Sequence, residues 1–311
     1  MDANSKGDYE HYMLKEIHEQ ASLVDKLAGF YIKNEGRKVI EDLDKSIPAA
    51  FHITACGTAW HAGLVIKNYF EMDNRIRCFV DIASEFRYKK PILNKKEVGL
   101  FISQSGETAD TLACQELCTE QEIASYSIIN VEGSTLFRNS TKNFLIHAGR
   151  EIGVASTKAF TLQALTGFLM SRAMSKTLDK PEVYQEIITL SQRINEICED
   201  SEHFKKVAEN IYHKKGFIFT GRGTYFPIAL EGALKLKEIA YVHAEGYAAG
   251  ELKHGPIALI DDEIVNIAIV GPELFEKTVS NVEEVKARRG VIVTVGPKNN
   301  AELEHLSDFY I

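Results

Sequence analysis

The chain repeats itself, and a duplication of this length leaves few folds open to it. Gly57 of Ile53-Thr-Ala-Cys-Gly-Thr58 aligns with Gly223 of Phe219-Thr-Gly-Arg-Gly-Thr224, 166 residues later. The same offset, carried forward without gaps, lays Ala83-Ser-Glu-Phe-Arg87 on Ala249-Gly-Glu-Leu-Lys253. It also lays Val98–Ser103 on Ile264–Ile269 and Ser125–Asn130 on Val291–Gly296. Four segments at one spacing mark an internal duplication, so both halves must share one architecture. A chain of 311 residues has room for two domains of ordinary size.

Within each copy, short β-branched apolar runs alternate with helical patterns, which argues for an α/β fold with a parallel sheet covered on both faces. In the first copy strands are expected near Phe51–Ala55, Arg77–Ile82, Val98–Ser103, Ser125–Asn130 and Phe144–His147, with a helix over Thr108–Gln121. In the second they are expected near Phe217–Gly221, Ile264–Val270 and Val291–Gly296. A helical stretch from Ser156 to Tyr212, broken near Lys180-Pro181, joins the copies, and a further helix over Tyr9–Phe30 stands outside the repeat. The division expected is residues 1–179 for the first domain and 180–311 for the second. The fifth strand of the first copy begins near Phe144, and the matching position in the second is Tyr310, next to the last residue, Ile311. A sheet left with a bare edge stub is an energetic liability. The natural protein is therefore expected to continue, with the second copy truncated here.

Composition removes several function classes. A net charge of −8 does not suit a nucleic-acid partner, and the pairs Lys89-Lys90 and Arg288-Arg289 read as solvated faces. No run nears the roughly 18 apolar residues of a membrane span, and Met1–Gln20 is too polar for a secretory signal. The five cysteines, Cys56, Cys78, Cys114, Cys118 and Cys198, form no CxxC and cannot all pair, which points to reduced thiols and a cytoplasmic setting. Cys114 and Cys118 read as helix-packing residues ahead of a metal site, and no metal or cofactor is expected.

The chemistry concentrates in three places. Ser103-Gln104-Ser105-Gly106-Glu107-Thr108 follows an apolar strand and precedes a helix, so hydroxyls and free backbone N–H groups gather at a helix N-terminus, a cradle suited to a phosphate dianion. The alternative is ordinary N-capping. The duplication bears on the choice: the equivalent residues are Ile269-Val270-Gly271-Pro272-Glu273-Leu274, without a hydroxyl, and a purely structural cap should survive in both copies. The second place is the helix Ile228–Ala240, where Glu231, Lys235 and Glu238 share one face at i, i+4 and i+7. Spacing alone favours a surface salt-bridge ladder, although a carboxylate beside an ammonium can also serve as a proton-transfer base. The third is Gly250-Glu251-Leu252-Lys253-His254-Gly255-Pro256, with His243 and Glu245 upstream, and spacing does not decide among these titratable groups. A dinucleotide fingerprint fails at Gly221-Arg222-Gly223-Thr224 for want of a third glycine, and neither GxxxxGK[ST] nor HExxH occurs.

Taken together, Ala55-Cys-Gly-Thr58, Ala83–Tyr88, Ser103–Thr111, Glu151–Phe160, Ala229–Glu238 and His243 through Pro256 resemble the isomerase half of glutamine–fructose-6-phosphate aminotransferase (isomerizing), also called glucosamine-6-phosphate synthase. The resemblance runs from about Tyr9 onward. It implies two tandem sugar isomerase (SIS) subdomains, each a three-layer αβα sandwich with a five-stranded, flavodoxin-like parallel sheet, and a homodimer. It also implies conversion of fructose 6-phosphate to glucosamine 6-phosphate, the entry to UDP-N-acetylglucosamine synthesis, with ammonia from a glutaminase domain. On this resemblance Ser103, Gln104, Ser105 and Thr108 hold the phosphate, while Cys56, Gly57, Thr58 and Val154 line the sugar. Glu238 is the base that moves a proton between the first two sugar carbons, Lys235 assists at the hydroxyls, and Glu231 orients the site. His254, supplied in this family by the neighbouring subunit, opens the sugar ring.

The sequence departs from the family in three ways. It carries no glutaminase half, it stops before the tail whose lysine forms a Schiff base with the sugar, and Ala59 stands where relatives often have serine. A piece of this kind is expected to bind sugar phosphate better than it turns it over. A non-catalytic sugar-phosphate sensor on the same fold is the competing reading, and the Glu231/Lys235/Glu238 face with His254 is what such a sensor does not require.

Overall fold

The computed structural model describes residues 5–43 and 45–311. The chain divides into two compact units, one up to Glu199 and the other from Asp200 to Ile311. The first runs α1 (Tyr12–Lys33), α2 (Arg37–Glu41), β1 (Ala50–Ala55), α3 (Gly57–Asp73), β2 (Arg77–Ile82), α4 (Ala83–Phe86), β3 (Val98–Ser103), α5 (Ala109–Glu120), β4 (Ala124–Ile129), α6 (Thr135–Asn139), β5 (Lys142–Leu145), α7 (Lys158–Met174) and α8 (Pro181–Glu199). Its five strands are all parallel in the order β2-β1-β3-β4-β5. β1 and β3, with a neighbour on each side, are buried at every residue, as strands covered on both faces must be. β2 lies at the edge and is mostly exposed or half-buried, with only Cys78 fully buried. The core gathers Phe51, Ile53, Leu100, Ile102, Ile128 and Phe144 from the sheet with Val24, Leu27, Leu162 and Leu169 from helices.

The helix outside the repeat is an integral part of this unit. α1 buries Glu16, Ala21, Val24, Leu27, Ala28 and Tyr31, a stripe at helical spacing, and packs against α7 and α8. The Tyr31 hydroxyl donates to the Leu145 carbonyl at 2.8 Å. α8 turns Val183, Ile187 and Ser191 inward, and Ser191 Oγ donates to Ala21 O (3.1 Å) and Asp25 Oδ2 (2.9 Å). The boundary therefore falls at Glu199/Asp200 and not at 179/180, because α8 is held by α1. The proline at Pro181 starts a helix of the first unit and does not separate domains.

The second unit runs α9 (Ser201–Ile211), β6 (Gly216–Gly221), α10 (Phe226–Ala240), β7 (Ala244–Ala248), β8 (Ile264–Ile269), α11 (Phe275–Lys286), β9 (Val291–Val295), α12 (Ala301–Leu306) and β10 (Phe309–Tyr310). Its strand order, β7-β6-β8-β9-β10, repeats that of the first sheet, again all parallel. Both five-stranded parallel sheets match the expected tandem SIS architecture. β7 escaped the strand assignment because Ala-Glu-Gly-Tyr-Ala contains no β-branched residue. Gly246 explains that composition, since a Cβ there would lie 2.7 Å from the Leu230 Cα on α10. β10 pairs through Phe309↔Val293 and Tyr310↔Thr294.

All five cysteines are free. Cys114 and Cys118 pack with Phe86, Phe101 and Leu136 as the helix-packing reading requires, and burial pushes both thiols up to about 12. Among the described residues no helix is long and apolar enough to cross a membrane.

Candidate functional site

β3 carries Ser103 to the carboxyl edge of the first sheet, where open parallel sheets bind their ligands. Between Ser103 and the start of α5 the backbone doubles back through Gly106 at φ +71°. A Cβ there would fall 2.2 Å from Ser134 Oγ and 2.6 Å from Ile129 Cδ1, so only glycine fits. Ser103 Oγ accepts from the Gly106 amide (3.0 Å) and lies 3.4 Å from Thr108 Oγ1, while Ser105 Oγ accepts from the Glu107 amide (3.2 Å). The turn is tied down from outside as well. Glu107 Oε1 accepts from the Thr135 amide at 2.8 Å, and the Gly106 carbonyl accepts from the Leu136 amide at 3.1 Å. The hydrogen bonds from Thr135 hold the Glu107 carboxyl below its usual range.

The capping alternative fails at one point. Thr108 occupies the N-cap of α5, yet its side chain accepts no hydrogen bond from the helix it caps. The hydroxyls of this turn organise its backbone and leave the helix N-terminus open to an anion.

The turn forms part of the wall of a cavity of about 220 Å³, lined by Cys56, Thr58, Ala59, Ile102, Ser103, Gln104, Ser105, Thr108, Thr111, Ser156 and Gln163. Among the described residues neither a lysine nor an arginine lines it. Gly57, between Cys56 and Thr58, takes φ +53° as the chain leaves β1 for α3, and Gly223 repeats this at φ +55°. Gln163 is 1% exposed, and its Oε1 has no hydrogen-bond partner among the described residues. A buried acceptor left unmatched in a cavity wall is a feature that a bound hydroxyl would satisfy.

Burial pushes the Cys56 thiol up, with the Asp110 charge adding to it against the Thr111 hydroxyl. Iodoacetamide is therefore expected to alkylate Cys56 more slowly at pH 8 than a free cysteine, accelerating at higher pH as thiolate forms. Mass spectrometry of the modified peptide checks this, and a rate equal to that of free cysteine would refute it.

In the second unit the corresponding turn is closed by its own side chains. Pro272 replaces Gly106 and has no N–H to offer, and Leu274 replaces Thr108. Tyr225 stands where the first copy has Ala59, and a Cβ on Gly271 would collide with its ring. The polar chemistry of this unit lies instead on α10. Lys235 Nζ is 3.3 Å from Glu231 Oε1 and 2.6 Å from Glu238 Oε2, the latter an ion pair that lacks hydrogen-bond geometry. Glu231 is only 6% exposed, which a surface ladder does not require.

His254 is exposed at the end of a 3₁₀ turn, Ala249–His254, that follows the carboxyl end of β7. His243 and Glu245, 3.8 Å apart, sit at the amino end of that strand. Ligands gather at carboxyl ends in such sheets, so topology favours His254 where spacing left three candidates.

Of the residues singled out from the sequence, Cys56, Thr58, Ser103, Gln104, Ser105 and Thr108 converge on one cavity, with Gly57 in the same turn. Val154 is 83% exposed and is not among the lining residues, whereas Ser156, two positions on, is. Thr111, Ser156 and Gln163 were not individually foreseen. Thr111 lies three residues beyond Thr108 on the same helix, a spacing that marks it as a neighbour of the turn, but nothing local marks Gln163.

The SIS domain family model matches residues 51–170 and 210–311, and the chain belongs to that family. Among its relatives, the glutamine–fructose-6-phosphate aminotransferase [isomerizing] of Chlorobaculum tepidum is 43% identical over 97% of this chain and 51% of that protein. The enzyme of the same name from Methanosarcina acetivorans is 43% identical over 99% of this chain and 52% of its own length. The solved C-terminal domain of glucosamine-fructose-6-phosphate aminotransferase from Francisella tularensis is 37% identical, with a TM-score of 0.84, covering 99% of this chain and 90% of that one. The chain thus spans about half the length of the curated relatives it matches.

Proposed function

We propose that this chain is the sugar-phosphate half of an enzyme that converts fructose 6-phosphate to glucosamine 6-phosphate, with ammonia delivered by a glutaminase domain. In this reading it acts in the cytoplasm as a homodimer, at the entry to UDP-N-acetylglucosamine synthesis, without a cofactor. The phosphate sits in the Ser103–Thr108 turn, held by the Ser103, Ser105 and Thr108 hydroxyls, Gln104 and the α5 amides. Cys56, Gly57 and Thr58 meet the sugar from the cavity side, and Val154 meets it from the exposed segment ahead of Ser156. The supporting observation is the uncapped N-terminus of α5 opening on a cavity beside three hydroxyls. With no cation in that wall, the anion is met by neutral donors and the helix dipole.

The remaining steps fall to the second unit. His254, supplied from the neighbouring subunit of the homodimer, opens the ring, Glu238 moves the proton between the first two carbons, and Lys235 steadies the enediolate charge. Buried Glu231 holds Lys235 in place. Because the phosphate does not react, its binding energy serves to orient the reacting carbons.

Calorimetric titration tests the binding step. Glucose 6-phosphate is expected to bind and glucose not. Ser103→Ala and Thr108→Ala should each weaken the phosphate ester roughly tenfold, as removal of a hydrogen bond to a charged group implies. Equal affinity for glucose and its 6-phosphate would sink the assignment.

A further inference from the structure

We infer that Glu16, on the helix outside the repeat, is a positioning residue for the sugar-side wall of the cavity; this rests on the sugar-phosphate reading above. Glu16 is 2% exposed, and its carboxylate reaches from α1 to a segment 136 residues away. Oε1 accepts from the Ile152 amide (2.5 Å) and the Gly153 amide (3.1 Å), and Oε2 accepts from the Gly153 amide at 3.2 Å. Gly153 has no room for a side chain, since a Cβ there would meet Glu16 Oε2 at 2.6 Å and Met13 Cα at 3.3 Å.

The segment held in this way leads directly into the cavity wall. Glu151 accepts from Ser156 Oγ (2.9 Å) and from the amides of Thr157 (2.8 Å) and Ala159 (3.4 Å), fixing the entry to α7. Ser156 and Gln163 of this stretch line the cavity. Two more residues on the same face of α1 secure the start of α7. Glu19 Oε2 takes the buried Lys158 ammonium at 2.7 Å, and Gln20 Oε1 accepts from Thr161 Oγ1 at 2.6 Å. Glu16, Glu19 and Gln20, at i, i+3 and i+4, therefore index residues 152–161 against α1. The phosphate turn at 103–108 is braced separately, by Thr135 and Leu136.

Two braces for two walls give the inference a consequence that a general structural role does not share. Loss of Glu16 shifts the wall that reads the sugar and leaves the turn that reads the phosphate. The test uses the full chain with two probes, fructose 6-phosphate and inorganic phosphate. Glu16→Ala is expected to weaken fructose 6-phosphate at least tenfold while inorganic phosphate stays within twofold. Glu16→Gln, whose amide oxygen in the Oε1 position can still accept from both Ile152 and Gly153, should restore most of the sugar-phosphate affinity. Amide exchange in Glu16→Ala should accelerate at 152–157 and not at 103–108. If Glu16→Ala does not fold, Gly153→Ala presses on the same contact from the loop side and should show the same split.

Parallel losses for both probes, or unchanged fructose 6-phosphate affinity in a folded variant, would overturn the inference while the site assignment stands. A wild-type chain that binds neither probe would remove the site assignment, and the inference with it.

Discussion

Glu238→Gln is expected to lower interconversion of fructose and glucose 6-phosphates by about 10²–10⁴-fold, the usual contribution of a positioned general base. The amide keeps the size of the side chain but cannot take a proton, so binding of the sugar phosphate should stay within about twofold of wild type. α10 gives the exchange a clean setting. Glu238 is partly exposed and shares Lys235 with the more deeply buried Glu231, so the lysine retains one carboxylate partner after substitution. A coupled assay for glucose 6-phosphate, run on the chain in its full-length context beside a binding titration, separates the two effects. Turnover within threefold of wild type would remove Glu238 as the base and reopen the reading of this fold as a sugar-phosphate sensor.

Gly106→Ala should have the second large effect, on binding and on stability together. The residue sits at φ +71°, which an alanine adopts only with strain, and the new methyl group would land on Ser134 Oγ and Ile129 Cδ1. Strain of this kind costs about 1–3 kcal/mol, and relief of the overlap must move either the turn or the start of α6. Movement of the turn disturbs the Gly106 amide bond to Ser103, and either movement disturbs the Thr135 bond to Glu107. The expected result is a thermal midpoint lowered by several degrees, with glucose 6-phosphate affinity reduced at least tenfold. A lower midpoint with unchanged affinity would mean that this turn does not seat the phosphate.

The second copy offers a natural control for the same argument. Its equivalent position is Pro272, which cannot adopt the Gly106 conformation, and Tyr225 closes over Gly271. One duplicated turn thus lines a cavity and the other is packed shut. Sequence displayed the first half of that contrast, the loss of the hydroxyls, but not the second. That Tyr225 takes the place of Ala59 follows from the repeat offset, whereas its packing over Gly271 follows only from coordinates.

Much of the architecture was legible because a parallel sheet buried on both faces writes itself as short apolar runs, and a duplication states every run twice. The resemblance implied a flavodoxin-like sheet, and both sheets have the 2-1-3-4-5 strand order of that class. The elements that sequence misplaced are those shaped by a neighbour. β7 is Ala-Glu-Gly-Tyr-Ala because Gly246 lets α10 approach, so the packing demand erased the strand signature. α8 looked like the start of the second domain because a proline precedes it, but α1 holds it in the first.

By itself, then, the sequence determined the duplication, the αβ alternation, and the turn that gathers the Ser103, Ser105 and Thr108 hydroxyls, since all are properties of contiguous residues at fixed spacing. Tertiary structure alone decided that Thr111, Ser156 and Gln163 complete one cavity with that turn, and that the Glu16 carboxylate accepts from a backbone amide 136 residues away. The reason is physical. Local spacing fixes which groups a helix or turn presents, while a cavity wall is assembled by packing between elements, and no periodicity along the chain encodes which buried carboxylate will meet which distant amide.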